Sequence, residues 1–306
     1  MKEIALENDV LRVKICPSMG GKITSFYLKE KDFELAAQSS AIRDEARRQL
    51  QAKKEIGGFG AYAFGMDDAF PNIDKETVEW KGRELFYPDH GEIWKADFHV
   101  IEKTAEHVVL CWDSTAFSYR YEKEMRLEDN TLVIQYHILN NSEEELPCIW
   151  TWHGLVAYEQ DMVILLPESV THYRNVLEGC ILGAEGTVYP VQNEIYDFAK
   201  MPNPNICSMV KYYGEEPVQT GHCGIYYPSK NVSYCLEYDA GKLPYLGVWI
   251  TAGGLDGDYN CALEPTNGFY DSIGKAGKHQ KLPVLGKGEA LDFTFGITLR
   301  EGKIHK

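Results

Sequence analysis

Alternation of apolar and polar residues, the period of a half-buried β-strand, recurs along most of the chain. It covers residues 3–15, where a break at Asn8-Asp9 predicts a hairpin, and it returns at residues 23–28 after a glycine turn. Between residues 97 and 139 four alternating segments follow one another with short polar turns between them. This spacing predicts a meander of antiparallel strands, as in a sandwich or a barrel.

The second half of the chain continues this pattern with one interruption. Further alternating segments lie at 224–227, 232–238, 246–250, 261–265 and 290–299. The stretch 161–220 is rich in Pro and Asn, which predicts mainly loops, with residues 201–205 irregular. We see no linker, internal repeat or low-complexity tract, so we expect residues 1–306 to form a single domain.

One segment has a helical pattern. Residues 40–53 contain good helix formers, begin with a serine that can act as an N-cap, and place acidic residues in the first turn. We therefore predict an all-β chain of antiparallel strands with one short helical insertion near residues 40–53, lying on the surface.

Composition and charge narrow the classes of partner. The 306 residues are 44% hydrophobic and 25% charged, as in an ordinary globular protein, and the formal net charge is −15. Nucleic acid and anionic membrane both require clustered Lys and Arg, so we expect neither as a partner. The N-terminus has no signal-peptide pattern and no apolar run approaches a membrane span, which predicts a cytoplasmic protein. We expect a monomer or a homodimer.

The eight cysteines are scattered along the chain and form no CxxC pair. A zinc ribbon or a redox dithiol is therefore not expected. In a cytoplasmic protein such residues are free thiols, and we predict that they are buried as small hydrophobic side chains.

Three short stretches each combine an acid–base residue with aromatic residues or glycines: Asp89-His90-Gly91-Glu92-Ile93-Trp94, Trp150-Thr151-Trp152-His153-Gly154 and Leu263-Glu264-Pro265-Thr266-Asn267-Gly268. Histidine titrates near neutral pH, and a glutamate among aromatic residues can have a raised pKa. Interconversion of sugar anomers needs a base for the anomeric hydroxyl and an acid for the ring oxygen. His90, His153 and Glu264 are candidates for that chemistry, which requires no metal and no cofactor.

Two other interpretations stay open from the residues alone. His90 and Glu92 together with His153 could bind Zn, Mn or Fe, as in a metal-dependent sugar isomerase. A non-catalytic sugar-binding protein could keep the same cleft and lack turnover. Taken singly, each of these histidines is typical of a packed histidine with one hydrogen bond. The presence of all three stretches in one chain, in this order, favours a catalytic or binding site.

The glycine-rich segment 57–63 formally fits a dinucleotide-binding fingerprint. A helical pattern precedes it where a strand is required, and Pro71 interrupts the helix that should follow, so we predict a loop. The next loop carries Asp67, Asp68 and Asn72, for which turn chemistry and recognition of sugar hydroxyls both remain open.

In their order along the chain, these stretches resemble the aldose 1-epimerase (galactose mutarotase-like) family. The residues that carry the resemblance are Gly20-Gly21-Lys22-Ile23, Asp89-His90-Gly91-Glu92, Trp152-His153-Gly154, Leu243-Pro244-Tyr245-Leu246-Gly247-Val248-Trp249 and Leu263-Glu264-Pro265. The order of elements is similar over nearly the whole chain, and the likeness is sharp at these motifs.

The resemblance implies an antiparallel β-supersandwich and an enzyme that interconverts the α and β anomers of a free hexose or related sugar. It implies that Glu264 is the general base, that His153 is the general acid, and that His90 holds the ring oxygen or an adjacent hydroxyl. It further implies a sugar-binding role for Trp249.

Two expected features of the family differ in this chain. Its asparagine-arginine binding motif is not evident, and Asp67, Asp68 and Asn72 occupy the region where it would lie, with Asp68 and Asn72 as the candidates for sugar binding. For the family's aspartate between the second histidine and the glutamate, Asp239 is the best match. These departures indicate a divergent branch and leave the identity of the sugar open.

Overall fold

The computed structural model describes residues 2–304. Within them the chain forms two α-helices, α1 (Ala41–Ala52) and α2 (Ile273–Lys278), and the strands β1 (Ile4–Glu7), β2 (Leu11–Cys16), β3 (Lys22–Leu28), β4 (Phe33–Glu34), β5 (Met66–Ala69), β6 (Glu76–Trp80), β7 (Arg83–Tyr87), β8 (His99–Lys103), β9 (His107–Asp113), β10 (Tyr119–Glu128), β11 (Thr131–Asn140), β12 (Leu146–Pro147), β13 (Thr151–Gly154), β14 (Val156–Ala157), β15 (Val163–Leu165), β16 (His172–Asn175), β17 (Val188–Pro190), β18 (Ser208–Gly214), β19 (His222–Tyr227), β20 (Val232–Tyr238), β21 (Tyr245–Ala252), β22 (Tyr259–Thr266), β23 (Val284–Leu285) and β24 (Ala290–Glu301).

Two large antiparallel sheets contain most of these strands. The larger sheet has 12 strands, with the central order β1-β2-β3-β5-β13-β22-β21-β18-β16-β17, and β4 and β14 add to β3 and β22. The smaller has eight strands in the order β15-β19-β20-β24-β11-β10-β9-β8. The N-terminal hairpin is β1-β2 and the predicted meander is β8 to β11, so the prediction of an all-β antiparallel chain is confirmed.

An apolar core lies between the two large sheets. Trp152 on β13 packs against Phe295 on β24, with ring centroids 5.1 Å apart. Phe70, directly after β5, packs edge-on against Tyr119 of β10 at 4.8 Å. These contacts cover one face of the larger sheet, and the alternate side chains of the same strands point away from this core.

The segment 161–220 contains more regular structure than the sequence predicts. It includes β15, β16, β17 and the seven-residue strand β18. Strand β18 is paired with β21 from Ser208↔Ala252 to Tyr213↔Gly247, which places it inside the larger sheet. The prediction of a loop-rich region is therefore wrong for this strand, since hydrogen bonding and burial within the sheet outweigh the Pro and Asn residues around it.

The predicted helical insertion is confirmed as α1. Ser40 caps it, because its side-chain oxygen accepts a hydrogen bond from the backbone N–H of Arg43 at 3.4 Å. The helix is not simply a surface element, however, since Arg43 and Arg47 are buried. The short helix α2 was not predicted from the sequence.

Neither α-helix within residues 2–304 is long and apolar enough to cross a membrane. All eight cysteines lie in this part of the chain and carry free thiols. Cys180 and Cys207 are exposed, contrary to the prediction, because both lie in surface loops, and the others are buried.

Candidate functional site

The candidate site lies on five neighbouring strands in the middle of the larger sheet, in the order β5, β13, β22, β21 and β18. Residues paired across adjacent strands point to the same face of a sheet. The register gives the pairs Asp67↔His153, Thr151↔Thr266, Glu264↔Gly247 and Trp249↔Lys211. Since side chains two residues apart on a strand share a face, all of these residues lie on the face turned away from the core.

A cavity of about 470 Å³ opens on this face. Glu264, His153, Lys211 and Trp249 reach it from the sheet. Helix α1 contributes Arg43 to the wall, and the segments between the strands complete it with Phe59, Asp74, Asp89, His90 and Asp271. Four of the residues predicted from sequence, His90, His153, Trp249 and Glu264, therefore line one cavity.

Glu264 is fully buried, and neither of its carboxylate oxygens accepts a hydrogen bond from the described residues. Lys211 Nζ lies 3.2 Å from Oε2 as an ion pair without hydrogen-bond geometry. Burial raises the pKa of Glu264 to about 7, although the ammonium of Lys211 opposes this shift. A carboxylate in this state can both accept and release a proton near neutral pH.

Gly247, the cross-strand partner of Glu264, leaves room for this carboxylate. A Cβ at position 247 would lie 3.1 Å from Glu264 Oε2 and 2.7 Å from Tyr213 Cζ. The contact with Tyr213 is closer than a Cβ can make, and the contact with Glu264 would press on the carboxylate. The glycine is therefore required by the packing of Glu264 and Tyr213 and not by its backbone conformation.

Lys211 bridges two acids. Its Nζ lies 2.8 Å from Asp271 in addition to its contact with Glu264, and Asp271 accepts a hydrogen bond of 2.5 Å from the hydroxyl of Tyr213. Burial alone would lower the pKa of Lys211, but the carboxylates of Asp271 and Glu264 outweigh it and raise the pKa. Lys211 therefore remains a cation beside Glu264.

His153 lies between Glu264 and Asp67. Its Nε2 is 3.9 Å from Glu264 Oε1, and its Nδ1 is 3.4 Å from Asp67 Oδ1. Asp67 also forms an ion pair with the fully buried Lys22. Burial would raise the pKa of Asp67, but Lys22 and His153 outweigh it and lower the pKa. A carboxylate at Nδ1 fixes the ring orientation and leaves Nε2 directed at the cavity.

His90 reaches the cavity from the loop after β7. It has a left-handed backbone with φ of 54°, and its ring stacks on Phe59 with centroids 3.8 Å apart. Its Nδ1 is 2.8 Å from Asp89 Oδ1, and its ring centroid is 5.1 Å from that of His153. Burial lowers the pKa of His90, although Asp89 opposes the shift. The neutral imidazole is therefore favoured.

Asp68 does not reach the cavity. It follows Asp67 on β5 and so points to the opposite face, where it contacts Lys123 and the hydroxyl of Tyr121 between the two sheets. Its buried carboxylate cannot contact a ligand in the cavity. The prediction of Asp68 as a sugar-binding residue is corrected by this placement, because strand alternation assigns neighbouring residues to opposite faces.

Asn72 and Asp239 also lie outside the cavity wall. Asn72 is fully buried and its Nδ2 donates to the backbone carbonyls of Asp74 and Pro88, at 2.6 and 2.8 Å. It therefore orders the loops beside His90, which is the turn role that the sequence left open. Asp239 is exposed in the turn after β20, where its side chain accepts from Gly241 N at 2.8 Å. Neither placement fits the predicted contact with sugar.

The structure does not bring Glu92 to the two histidines. Its Oε2 accepts hydrogen bonds from Ser114 at 2.7 Å and Tyr119 at 3.1 Å. Among residues 2–304, no group of three or more His, Cys, Asp or Glu side chains is arranged to hold a metal ion.

Several polar groups of the cavity were not identified from the sequence as part of the site. Lys211 lies in the stretch for which Pro and Asn predict loops, although Val210, Lys211 and Tyr212 alternate as in a strand. Arg43 lies on α1, for which the sequence predicts a surface position, and nothing local in the sequence indicates that this residue is buried. Asp67, which contacts His153 without lining the cavity itself, belongs to the loop acids whose role the sequence leaves open, and Asp271 follows an aromatic pair in a segment with no recognisable motif.

The sequence matches no protein-family model and shows no significant similarity to curated proteins. Solved structures, in contrast, share its fold. A candidate aldose 1-epimerase from Escherichia coli K12 superposes with a TM-score of 0.74 at 17% identity, covering 98% of this chain and 99% of that one. A galactose mutarotase related enzyme from Lactobacillus acidophilus gives 0.69 at 16% identity, covering 99% and 100%.

A galactose mutarotase-like protein from Clostridium acetobutylicum gives a TM-score of 0.72 at 14% identity, with 98% of each chain covered. These identities are low, and the superpositions extend over essentially the full length of all three chains. The predicted antiparallel β-supersandwich is confirmed, and the chain has the galactose mutarotase-like fold.

Proposed function

We propose that this protein interconverts the α and β anomers of a free aldose by acid–base ring opening. The observation that carries the proposal is the environment of the Glu264 carboxylate. This carboxylate is buried, accepts no hydrogen bond and borders the cavity, and its Oε1 lies 3.9 Å from His153 Nε2. A buried carboxylate without a hydrogen bond is costly in a folded protein, and a bound ligand would supply the missing hydrogen bond.

The separation of Glu264 and His153 suits the geometry of the reaction. The anomeric hydroxyl and the ring oxygen of an aldose are bonded to the same carbon, C1. A base and an acid that act on these two oxygens must therefore lie close together without neutralising each other. At 3.9 Å the two groups are too far apart for a direct hydrogen bond and near enough to share one substrate.

In the ring-opening step, Glu264 accepts the proton of the anomeric hydroxyl. The electron pair of that O–H bond forms the C1=O double bond, the bond between C1 and the ring oxygen breaks, and His153 delivers its Nε2 proton to the ring oxygen. Rotation about the C1–C2 bond then turns the other face of the aldehyde towards the hydroxyl. Ring closure returns both protons and yields the other anomer.

Neighbouring residues support these roles. Asp67 accepts from Nδ1–H of His153, so the proton delivered from Nε2 comes from the doubly protonated ring, whose positive charge faces this carboxylate. Lys211 holds positive charge beside Glu264 and so favours its ionised form. His90 is held near His153 by stacking on Phe59, where it can bind the ring oxygen or an adjacent hydroxyl.

Exchange NMR of the anomeric protons of free aldoses tests this proposal. The protein should speed exchange between α and β signals, and Glu264→Gln should reduce turnover by about two to four orders of magnitude, the usual contribution of a positioned proton-transfer group. Glu237→Gln is the matched control, because Glu237 is an exposed residue of β20 in the other large sheet. A nearly normal rate in folded Glu264→Gln protein removes Glu264 from the role of base.

A different result separates catalysis from binding. Broadening or shifting of the signals of one sugar, with no enhanced exchange for any sugar, would contradict turnover and indicate a non-catalytic sugar-binding protein with the same cavity.

A further inference from the structure

The cavity extends along β22 to a second polar region. Glu264 and Asn260 lie on the same face of this strand, four residues apart, and both line the cavity. The rise of a strand places their Cα atoms about 13 Å apart. Arg43, from helix α1, lines the cavity together with Asn260. This second polar region of the cavity is thus formed by helix α1 and by the beginning of β22, away from the proposed acid and base.

Arg43 has one nitrogen without a hydrogen bond. Its Nε donates to Asp258 Oδ2 at 2.5 Å, and its Nη1 donates to the carbonyl of Gly60. Its Nη2 is buried and has no hydrogen-bond partner among the described residues, and Asp256 at 3.6 Å is within ion-pair range but too far to accept. The residue Arg43 is 4% exposed. A buried donor of this kind is satisfied when a ligand supplies an acceptor.

Asn260 adds a second donor. Trp249 Nε1 lies 3.0 Å from Asn260 Oδ1, and an indole N–H can only donate, so this contact assigns the oxygen of the amide. The Nδ2 group then faces away from Trp249 with its two N–H donors. Asn260 is 6% exposed and borders the cavity.

We infer that Arg43 Nη2 and Asn260 Nδ2 form a second recognition subsite for an uncharged oxygen acceptor on the substrate, a hydroxyl or an acyl carbonyl remote from the anomeric carbon. This inference rests on the proposed function, since Glu264 defines where the anomeric carbon lies. It makes the insertion around α1 a determinant of substrate choice.

The local charges select against an anionic group. Asp258 and Asp256 offset the single positive charge of Arg43, and Lys211 is already shared between Asp271 and Glu264. A phosphate or carboxylate on the sugar would enter a region with no uncompensated cation. A neutral acceptor needs only the donors, which are present.

Arg47→Met is a matched control for Arg43→Met. Both arginines are buried on the same helix, one turn apart, but Arg47 donates to Ala61 O at 2.7 Å and to Ser39 Oγ at 2.9 Å and does not line the cavity. Asn260→Asp is a second, nearly isosteric variant that removes the amide donors and keeps an acceptor for Trp249.

The experiment measures kcat and KM by exchange NMR, and Kd by calorimetry, for D-glucose, D-galactose, N-acetyl-D-glucosamine, D-glucuronate and D-glucose 6-phosphate. The neutral sugars should exceed the two anionic ones in kcat/KM. For the best neutral sugar, Arg43→Met and Asn260→Asp should raise KM by about tenfold to a hundredfold, the effect of a lost hydrogen bond that involves a charged donor, with little change in kcat. Arg47→Met should leave KM unchanged.

Three results overturn the inference: equal KM changes in Arg43→Met and Arg47→Met, loss of kcat at unchanged KM in Arg43→Met, or preference of the native protein for glucuronate or glucose 6-phosphate. Sugar binding without turnover removes the proposed function alone, and the Kd values of the same variants still decide the subsite. Lack of binding by every neutral sugar overturns both.

Discussion

Asp67 and Asp68 are consecutive residues of β5, and each forms an ion pair with a lysine whose side chain is fully buried. Asp67 pairs with Lys22 and contacts His153 on the cavity face of the larger sheet. Asp68 pairs with Lys123 and lies between the two large sheets. The same chemical pair therefore occurs twice, once beside the proposed catalytic groups and once within the core.

The two ion pairs differ in the other contacts of their carboxylates. The partners of Asp68 are Lys123 and the hydroxyls of Tyr121 and Tyr136, and these groups are closed to solvent. Asp67 instead contacts a histidine that borders the cavity. A buried ion pair therefore contributes to function only through the further contacts of its carboxylate.

The largest expected effect is on stability, in Asp68→Asn. The change leaves the Lys123 ammonium buried without a countercharge, which should lower the free energy of unfolding by about 3–5 kcal/mol. Urea unfolding followed by fluorescence measures the loss. The kcat of the protein that remains folded should be unchanged, since Asp68 does not touch the cavity. Normal stability with lost turnover would reverse the roles assigned to the two aspartates.

The next effect is on catalysis, in Asp67→Asn. Lys22 keeps the backbone carbonyls of Tyr62 and Phe64 as acceptors, at 3.2 and 2.9 Å, so the loss of stability should be smaller than in Asp68→Asn. His153 loses its negatively charged partner, and kcat should fall about a hundredfold with little change in KM. Exchange NMR measures both constants. A change confined to KM would show that Asp67 contributes to binding and does not act through His153.

The smallest effect is a shift in the pH dependence of kcat/KM. It distinguishes Lys211 from Lys22, the two lysines on the cavity face of the larger sheet. Glu264 must be ionised to act as a base, and its pKa is raised to about 7, so kcat/KM should fall as the pH drops through about 7. Lys211 opposes that shift, and Lys211→Met should move the midpoint upward by about one pH unit. The measurement is the pH profile of exchange, with thermal unfolding at each pH as the control.

Lys22 gives the contrasting case, because it contacts Asp67 and not Glu264. Lys22→Met should reduce stability without moving the acid limb of the pH profile. Equal shifts in the two variants would mean that the pKa of Glu264 responds to total charge and not to its direct neighbour.

Much of the fold could be predicted from the sequence because its signals are local. Strand alternation located the N-terminal hairpin and the four-strand meander, and a serine cap with good helix formers located α1. The stretches around His90, His153 and Glu264 drew attention because each combines an ionisable side chain with aromatic or glycine neighbours, and these three residues line one cavity.

The missed features depend on neighbours that are distant in sequence. Asp68 was favoured over Asp67 because the sequence does not show which face of β5 meets the cavity, and a shift of one residue reverses that assignment. Lys211 becomes part of the site only when β18 joins β21, and Arg43 only when α1 folds towards Asp258. Sheet order and tertiary packing, which the alternation does not encode, decide these positions.

The opposite orientation of two charged residues on one short strand also bears on the accuracy of folding. Strand β5 has only four residues, and its pairing with β3 is limited to Ile23↔Met66. If β5 slipped by one residue so that Asp68 met Lys22, Ala69 would face Lys123 and leave its ammonium without a countercharge, at a cost of several kcal/mol. The two aspartates therefore favour one register of β5. Because His153 pairs with Asp67 across β5 and β13, this register also determines which carboxylate the proposed acid contacts.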